Sequence, residues 1–247
     1  MKEKDLILLT AVCSAFFNVD VNAVSIKKQS IKKFDSEMLY SLESNKLAGR
    51  YLEYKLDYIL PIGNDVYFIG EQFKKETVQT EVPVTKVTVT TWQYTYMDVI
   101  VSKLNSSGEF EWIKNAPLRN WIELKSPHVF KQYIAVPTEN NIYIMYNEHP
   151  KNLAIYQKPK YEPKDLKDIK TIHGTNFVFS AIATGNGQIT RGVIFPNEDY
   201  CFAPIQERDE KFFPPEKTEI FVPGADNTIF IYTEDKGKDQ FSSLKLK

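Results

Sequence analysis

A chain of 247 residues with 31 basic and 32 acidic side chains can bury a sizeable core. Its formal net charge of −1 leaves none of the basic excess that a binder of nucleic acid needs to neutralise phosphates, and two cysteines cannot build a disulfide-stapled scaffold. With 16 Phe and 14 Tyr against 4 Met, the composition favours strands, and the expected class is all-β.

Residues 1–23 read as a secretory signal. Lys2 and Lys4 precede an apolar run from Leu6 to Phe17 that is too short to span a bilayer, and Val21 and Ala23 are the small residues a signal peptidase takes ahead of its cut. Cleavage after Ala23 would remove two lysines and three acids (Glu3, Asp5, Asp20), leaving 29 basic and 29 acidic side chains from the original 31 and 32. Cys13 would leave with the signal, and Cys201, between Tyr200 and Phe202, then reads as a small core residue. The alternative is a buried N-terminal segment. The expected location is secreted, periplasmic or extracellular, with no transmembrane segment after the leader.

Residues 24–50 supply an N-terminal strand and a short helix. Val24 to Phe34 alternates loosely between apolar residues and lysines, as an edge strand protected from aggregation does. Ser36 can cap a helix whose apolar points are Met38, Leu39 and Leu42, with Gly49 available to end it. Residues 51–247 then repeat one plan, in units of about 51–120, 128–197 and 217–247. The stretches DYILPIGNDVYFIGEQ from Asp57, QYIAVPTENNIYIMYNEH from Gln132 and EIFVPGADNTIFIYTEDK from Glu219 each join two apolar runs. Between the runs lie a proline (Pro61, Pro137, Pro223) and an asparagine turn (Asn64, Asn140, Asn227), and an aromatic centres the second run (Tyr67, Tyr143, Phe230). The second runs are apolar at successive positions, which suits strands covered on both faces.

In the first unit the Val/Thr alternation from Lys74 to Trp92 predicts a hairpin extension with one wetted face, followed by a strand from Tyr94 to Leu104, a turn at Asn105–Gly108 and a return strand carrying Trp112. In the second unit a Pro- and Lys-rich loop runs from Asn147 to Lys170, and strands 176–183 and 188–195 flank the turn Thr184-Gly185-Asn186-Gly187. The third unit ends after three strands, and Val24 to Phe34 is available to complete it. Repeated four-stranded antiparallel meanders of this kind point to a β-propeller-like array of about three units, the alternatives being a β-sandwich or an open barrel.

Three segments carry a resemblance. DVIVSKLNSSGEFEWIKNAP from Asp98 to Pro117, with IYIMYNEHPKNL from Ile142 and RGVIFPNED from Arg191, resembles the blade signature of secreted bacterial proteins with β-propeller-like repeats. The similarity covers roughly Lys55 to Lys247. It implies a propeller-like fold and a chain shortened at the N-terminus, and its motifs are structural, so it transfers no catalytic residues.

Few residues suggest chemistry. His128, His149 and His173 have no metal-binding spacing, and neither a nucleophile elbow nor a phosphate loop is present, so no metal, cofactor or catalytic residue is assigned. Glu71, Asp98, Glu148 and Asp199 stand at or near expected strand ends, where a glycosidase would need two of them to converge. Trp92, Tyr94 and Tyr96 alternate on one face; exposed they would form a stacking platform for a sugar or protein, and buried they are core. Asn105-Ser106-Ser107 is formally a glycosylation sequon and otherwise a turn. The expected function is that of a secreted or surface-associated binding protein for a protein or glycan, able to oligomerise if its ring of blades is incomplete. The alternatives are a hydrolytic enzyme using strand-end carboxylates and a structural envelope component.

Overall fold

The computed structural model describes residues 3–9, 13–20, 25–34, 53–124, 130–158, 161–162, 165–169, 174–196, 206–207, 221–223, 226–235 and 238–246. Within them the protein is all-β apart from one short helix, and its strands form consecutive antiparallel sheets. An N-terminal sheet contains β1 (Glu3–Leu9), β2 (Cys13–Asp20) and β3 (Ser25–Lys33). A first meander follows, made of β4 (Glu53–Ile62), β5 (Asp65–Glu81), β6 (Thr88–Leu104) and β7 (Phe110–Leu124).

After the short strand β8 (Phe130–Lys131) comes a second meander of β9 (Tyr133–Pro137), β10 (Asn141–Glu148), β11 (Asn176–Ala183) and β12 (Ile189–Phe195), with helix α1 (Asn152–Tyr156) between β10 and β11. The short β13 (Gln206–Glu207) pairs with β8. A C-terminal sheet of β14 (Phe221–Pro223), β15 (Thr228–Asp235) and β16 (Lys238–Lys245) ends the chain.

The strand register bears out the repeat. Each hairpin proline faces the residue just before the repeat's aromatic: Pro61 pairs with Val66, Pro137 with Ile142 and Pro223 with Ile229. The aromatics Tyr67, Tyr143 and Phe230 therefore all lie on the opposite face, which we call the back. Gly108 and Gly187, equivalent turn residues, both have positive φ (76° and 70°), a conformation that L side chains resist.

Four sheets stack face to face, and the two seams between repeats share one polarity. The front of the first meander, with Val66, Phe68, Leu104 and Phe110, receives Phe16 of the N-terminal sheet, while Phe34 seats on Ile100 and Ile113. Its back packs on the front of the second meander: Tyr67, Ile69, Val99, Val101 and Trp112 meet Ile142, Ile144, Tyr146, Val178 and Ile182. The back of the second meander, with Ile134, Tyr143 and Met145, packs on the front of the C-terminal sheet, Ile229, Ile231 and Leu244. These central strands are apolar on both faces because both are covered.

Residues 3–9 and 13–20, within the expected leader, form β1 and β2 in the full-length chain. Two expectations change. The strand expected to complete the last unit pairs with β2 instead, because Phe16 and Phe34 find their apolar partners on the first meander. The loop expected over 147–170 contains α1. The helix expected over 36–42 lies outside the described residues. The Val/Thr hairpin is a continuation of β5 and β6 beyond the sheet, ending in a tip where Val84 is 91% exposed. Among the described residues no helix is long and apolar enough to cross a membrane.

Candidate functional site

One end of the second meander gathers buried polar groups. Glu148 is the last residue of β10, opposite Asn176 of β11, and only 5% exposed. The chain then turns into α1, a helix too short to stand alone and without a side-chain N-cap. Asn152 anchors it: its Nδ2 donates to the Lys167 carbonyl at 3.0 Å, and its Oδ1 accepts from the Lys167 N–H at 2.7 Å. So clasped, α1 delivers the Tyr156 hydroxyl to Glu148 Oε1, to which it donates at 2.5 Å.

Arg191, from β12, lies with its guanidinium carbon 4.7 Å from the centre of the Tyr156 ring, and Tyr161 meets the same ring edge-on, 5.3 Å between centroids. Tyr146, two residues before Glu148 and on the same strand face, shares a 3.2 Å hydrogen bond with Ser180. Tyr156, Tyr161 and Arg191 are half-buried, and Glu148, Tyr146 and Asn152 are buried.

Burial dominates the electrostatics. It raises the Glu148 carboxyl to about 7, against the opposing pull of the Tyr156 hydrogen bond and the Arg191 charge. Burial likewise raises the Tyr146 and Tyr156 hydroxyls, with Glu148 adding to the effect, so both remain protonated donors at neutral pH. For Arg191 burial acts to lower the pKa, but the surrounding tyrosines and Glu148 more than offset it and the charge is held. Arg191 Nε is buried and makes no hydrogen bond among the described residues. The site thus offers a proton-bearing carboxyl, a fixed cation and two aromatic rings. It can bind a polyhydroxylated or anionic ligand and can give a proton to it.

The other sequence-predicted residues fall elsewhere. Tyr94 and Tyr96 are buried (0% and 1%), stacked with each other and packed with Phe73, so they are core and not an exposed platform; Trp92 is half-buried against the same core. Large rings beside the inter-sheet seam are worth more as packing area than on the surface.

Glu71 and Asp98 are both fully buried but do not converge. The register pairs Glu71 with Val99, so the neighbouring Asp98 projects from the opposite face, where Asn115 donates to it at 2.9 Å. On the Glu71 side, Tyr133 donates to Asp57 at 2.7 Å, and burial together with the Asp57 and Glu71 charges raises the Tyr133 hydroxyl well above its ordinary value. His149 accepts the Lys151 N–H at 3.1 Å, and Asn105 Oδ1 accepts the N–H groups of Ser107 and Glu109, which makes Asn105 the clasp of its turn. Asp199, His128, His173 and Cys201 lie outside the described residues. No group of three metal-ligating side chains occurs among the described residues.

Sequence reasoning named Glu148 but missed Tyr156, Tyr161 and Arg191. The available signal was the pair of tyrosines in an otherwise Pro- and Lys-rich loop. Comparison with known protein families, with curated proteins and with solved structures finds no match.

Proposed function

We propose that this is a secreted or surface-associated, propeller-like binding protein whose ligand is a glycan seated on Tyr156, Tyr161 and Arg191 above Glu148. The observation that carries the reading is the Arg191–Tyr156 stack beside a buried carboxyl, all mounted on or clasped to strands of one sheet. Sugars suit such a site: their C–H faces stack on aromatic rings, and their hydroxyls take up charged donors such as the Arg191 guanidinium. A glycan array followed by titration calorimetry tests it. Tyr156→Ala and Arg191→Ala should each weaken binding about tenfold or more, the loss of a charged hydrogen bond or a stacked ring, with Trp92→Ala unchanged. Failure of the wild-type chain to bind any glycan, or undiminished binding by Arg191→Ala, overturns the reading.

Secretion is supported by the leader pattern of residues 1–23. Sequencing the N-terminus of exported protein decides it: a start at Val24 supports the leader, and retention of Met1 overturns it.

One observation favours a second reading. A carboxyl at about 7 is placed to act as a general acid, so the site would serve a hydrolase. Turnover of reporter glycosides that falls as pH rises through 7, and is lost in Glu148→Gln, would establish that reading; no turnover by the wild-type chain would remove it.

A further inference from the structure

The cation of this site has no anion of its own. Arg191 makes no hydrogen bond or ion pair among the described residues. Glu148, the carboxylate whose charge acts on it, is engaged by another group: the Tyr156 hydroxyl donates to Oε1 at 2.5 Å. Tyr156 thus serves both, its hydroxyl to the acid and its ring to the cation, while acid and cation do not pair with each other. Burial raises the Glu148 carboxyl to about 7, so at neutral pH it is ionised only in part and offsets the Arg191 charge weakly. The tyrosines around them stay protonated, and Arg191 keeps its charge. A half-buried cation without a counter-ion carries a desolvation cost that an anionic ligand would offset.

The form of the cation narrows the anion. The Arg191 backbone is fixed in β12 opposite Ser180 of β11, whose hydroxyl shares the Tyr146 hydrogen bond, and its guanidinium carbon lies 4.7 Å from the centre of the Tyr156 ring. Strand and ring together hold the group in place before any ligand arrives. Of its nitrogens only Nε is both enclosed and unbonded, so the donors it can offer are Nη1 and Nη2 at the forked end. Coplanar donors of this kind match the two oxygens of a planar carboxylate through parallel hydrogen bonds, which an ammonium group cannot do.

We propose, resting on the glycan reading of the site, that its ligand is an acidic saccharide, one bearing carboxylates such as those of uronic acid residues, which Arg191 takes in its fork. Arg191 is then the residue that selects acidic over neutral sugars.

The test is an array carrying uronic-acid oligosaccharides of several linkages, each beside its own methyl ester, together with sulfated and neutral oligosaccharides. It is probed with the full chain at pH 6, where most of the Glu148 population holds its proton. Esterification removes the charge and keeps the ring and linkage, so an acid should bind at least about tenfold more tightly than its ester, as a charged hydrogen-bonded contact predicts. This comparison uses the wild-type chain alone and stands whether or not a variant folds. Arg191→Lys keeps a positive charge without the fork, and with its near-ultraviolet circular dichroism unchanged it should close most of the gap between acid and ester. Acids bound no better than their esters, or a preference for sulfated oligosaccharides, would overturn the inference and leave the glycan reading in place. A gap undiminished in folded Arg191→Lys would overturn the assignment to Arg191. Binding to no glycan on the array would overturn both the inference and the reading beneath it.

Discussion

Gly70 shows how little room the first meander leaves. A Cβ there would lie 2.1 Å from the Lys55 carbonyl oxygen and 2.6 Å from the Tyr54 ring, so the clash involves backbone and cannot be relieved by a rotamer change. Gly70→Ala should cost about 2–4 kcal/mol, read as a lowered denaturation midpoint. The sequence offered no sign of this, since φ at Gly70 is not among the positive values and only the β4–β5 register brings the atoms together. Lys103 is a contrasting case. Its place ahead of the Asn105–Gly108 turn was visible, and its work is an ion pair with Glu111 at 2.7 Å and another with Asp65 at 3.0 Å, on a side chain only 8% exposed.

Glu148 gives the sharpest prediction. Because its carboxyl lies at about 7 in the fold against 4.5 ordinarily, the folded state holds a proton that the unfolded chain has lost between those values. Stability should therefore be greatest below pH 4.5 as far as this group is concerned, fall as pH rises to 7 and level off above it, by on the order of 3 kcal/mol. Urea midpoints from pH 5 to 8 should show that fall in the wild-type chain and a flatter line in Glu148→Gln.

Among the elements, those whose local signals agree with their burial were legible. The Pro/Asn turns, the apolar second runs and the Asn105–Gly108 turn reappear where residue chemistry placed them, because turn geometry and strand propensity are local. The joining of the Val/Thr hairpin to β5 and β6 as two strands of 17 residues was less evident, since bulges at Glu71/Phe73 and Tyr96/Asp98 shift the face that alternation would assign. This ribbon projects with side chains from Gln79 to Val89 mostly exposed. Replacing Thr80–Val89 by Asn-Gly, to join Gln79 to Thr90, should move the thermal midpoint by less than about 2 °C in differential scanning calorimetry. The helix α1 was hidden because what holds it is Lys167, fifteen residues beyond Asn152.

At the scale of the whole molecule, the repeat in sequence predicted repeated sheets, but not their order of contact, since which face meets which neighbour depends on side chains far apart in the chain. The seams should behave as cores. Ile231→Ala, at 1% exposure between the second meander and the C-terminal sheet, should cost about 2–5 kcal/mol, and hydrogen exchange should quicken first in β14–β16.

The meander connectivity has a further consequence, for synthesis on the ribosome. Within the three multi-strand units that follow the N-terminal sheet, every strand pairs with the one made just before it, and every finished sheet then presents the surface against which the next is laid. The chain can therefore fold in the order in which it emerges, each sheet serving as template for its successor, with little need to hold distant segments apart while waiting for partners.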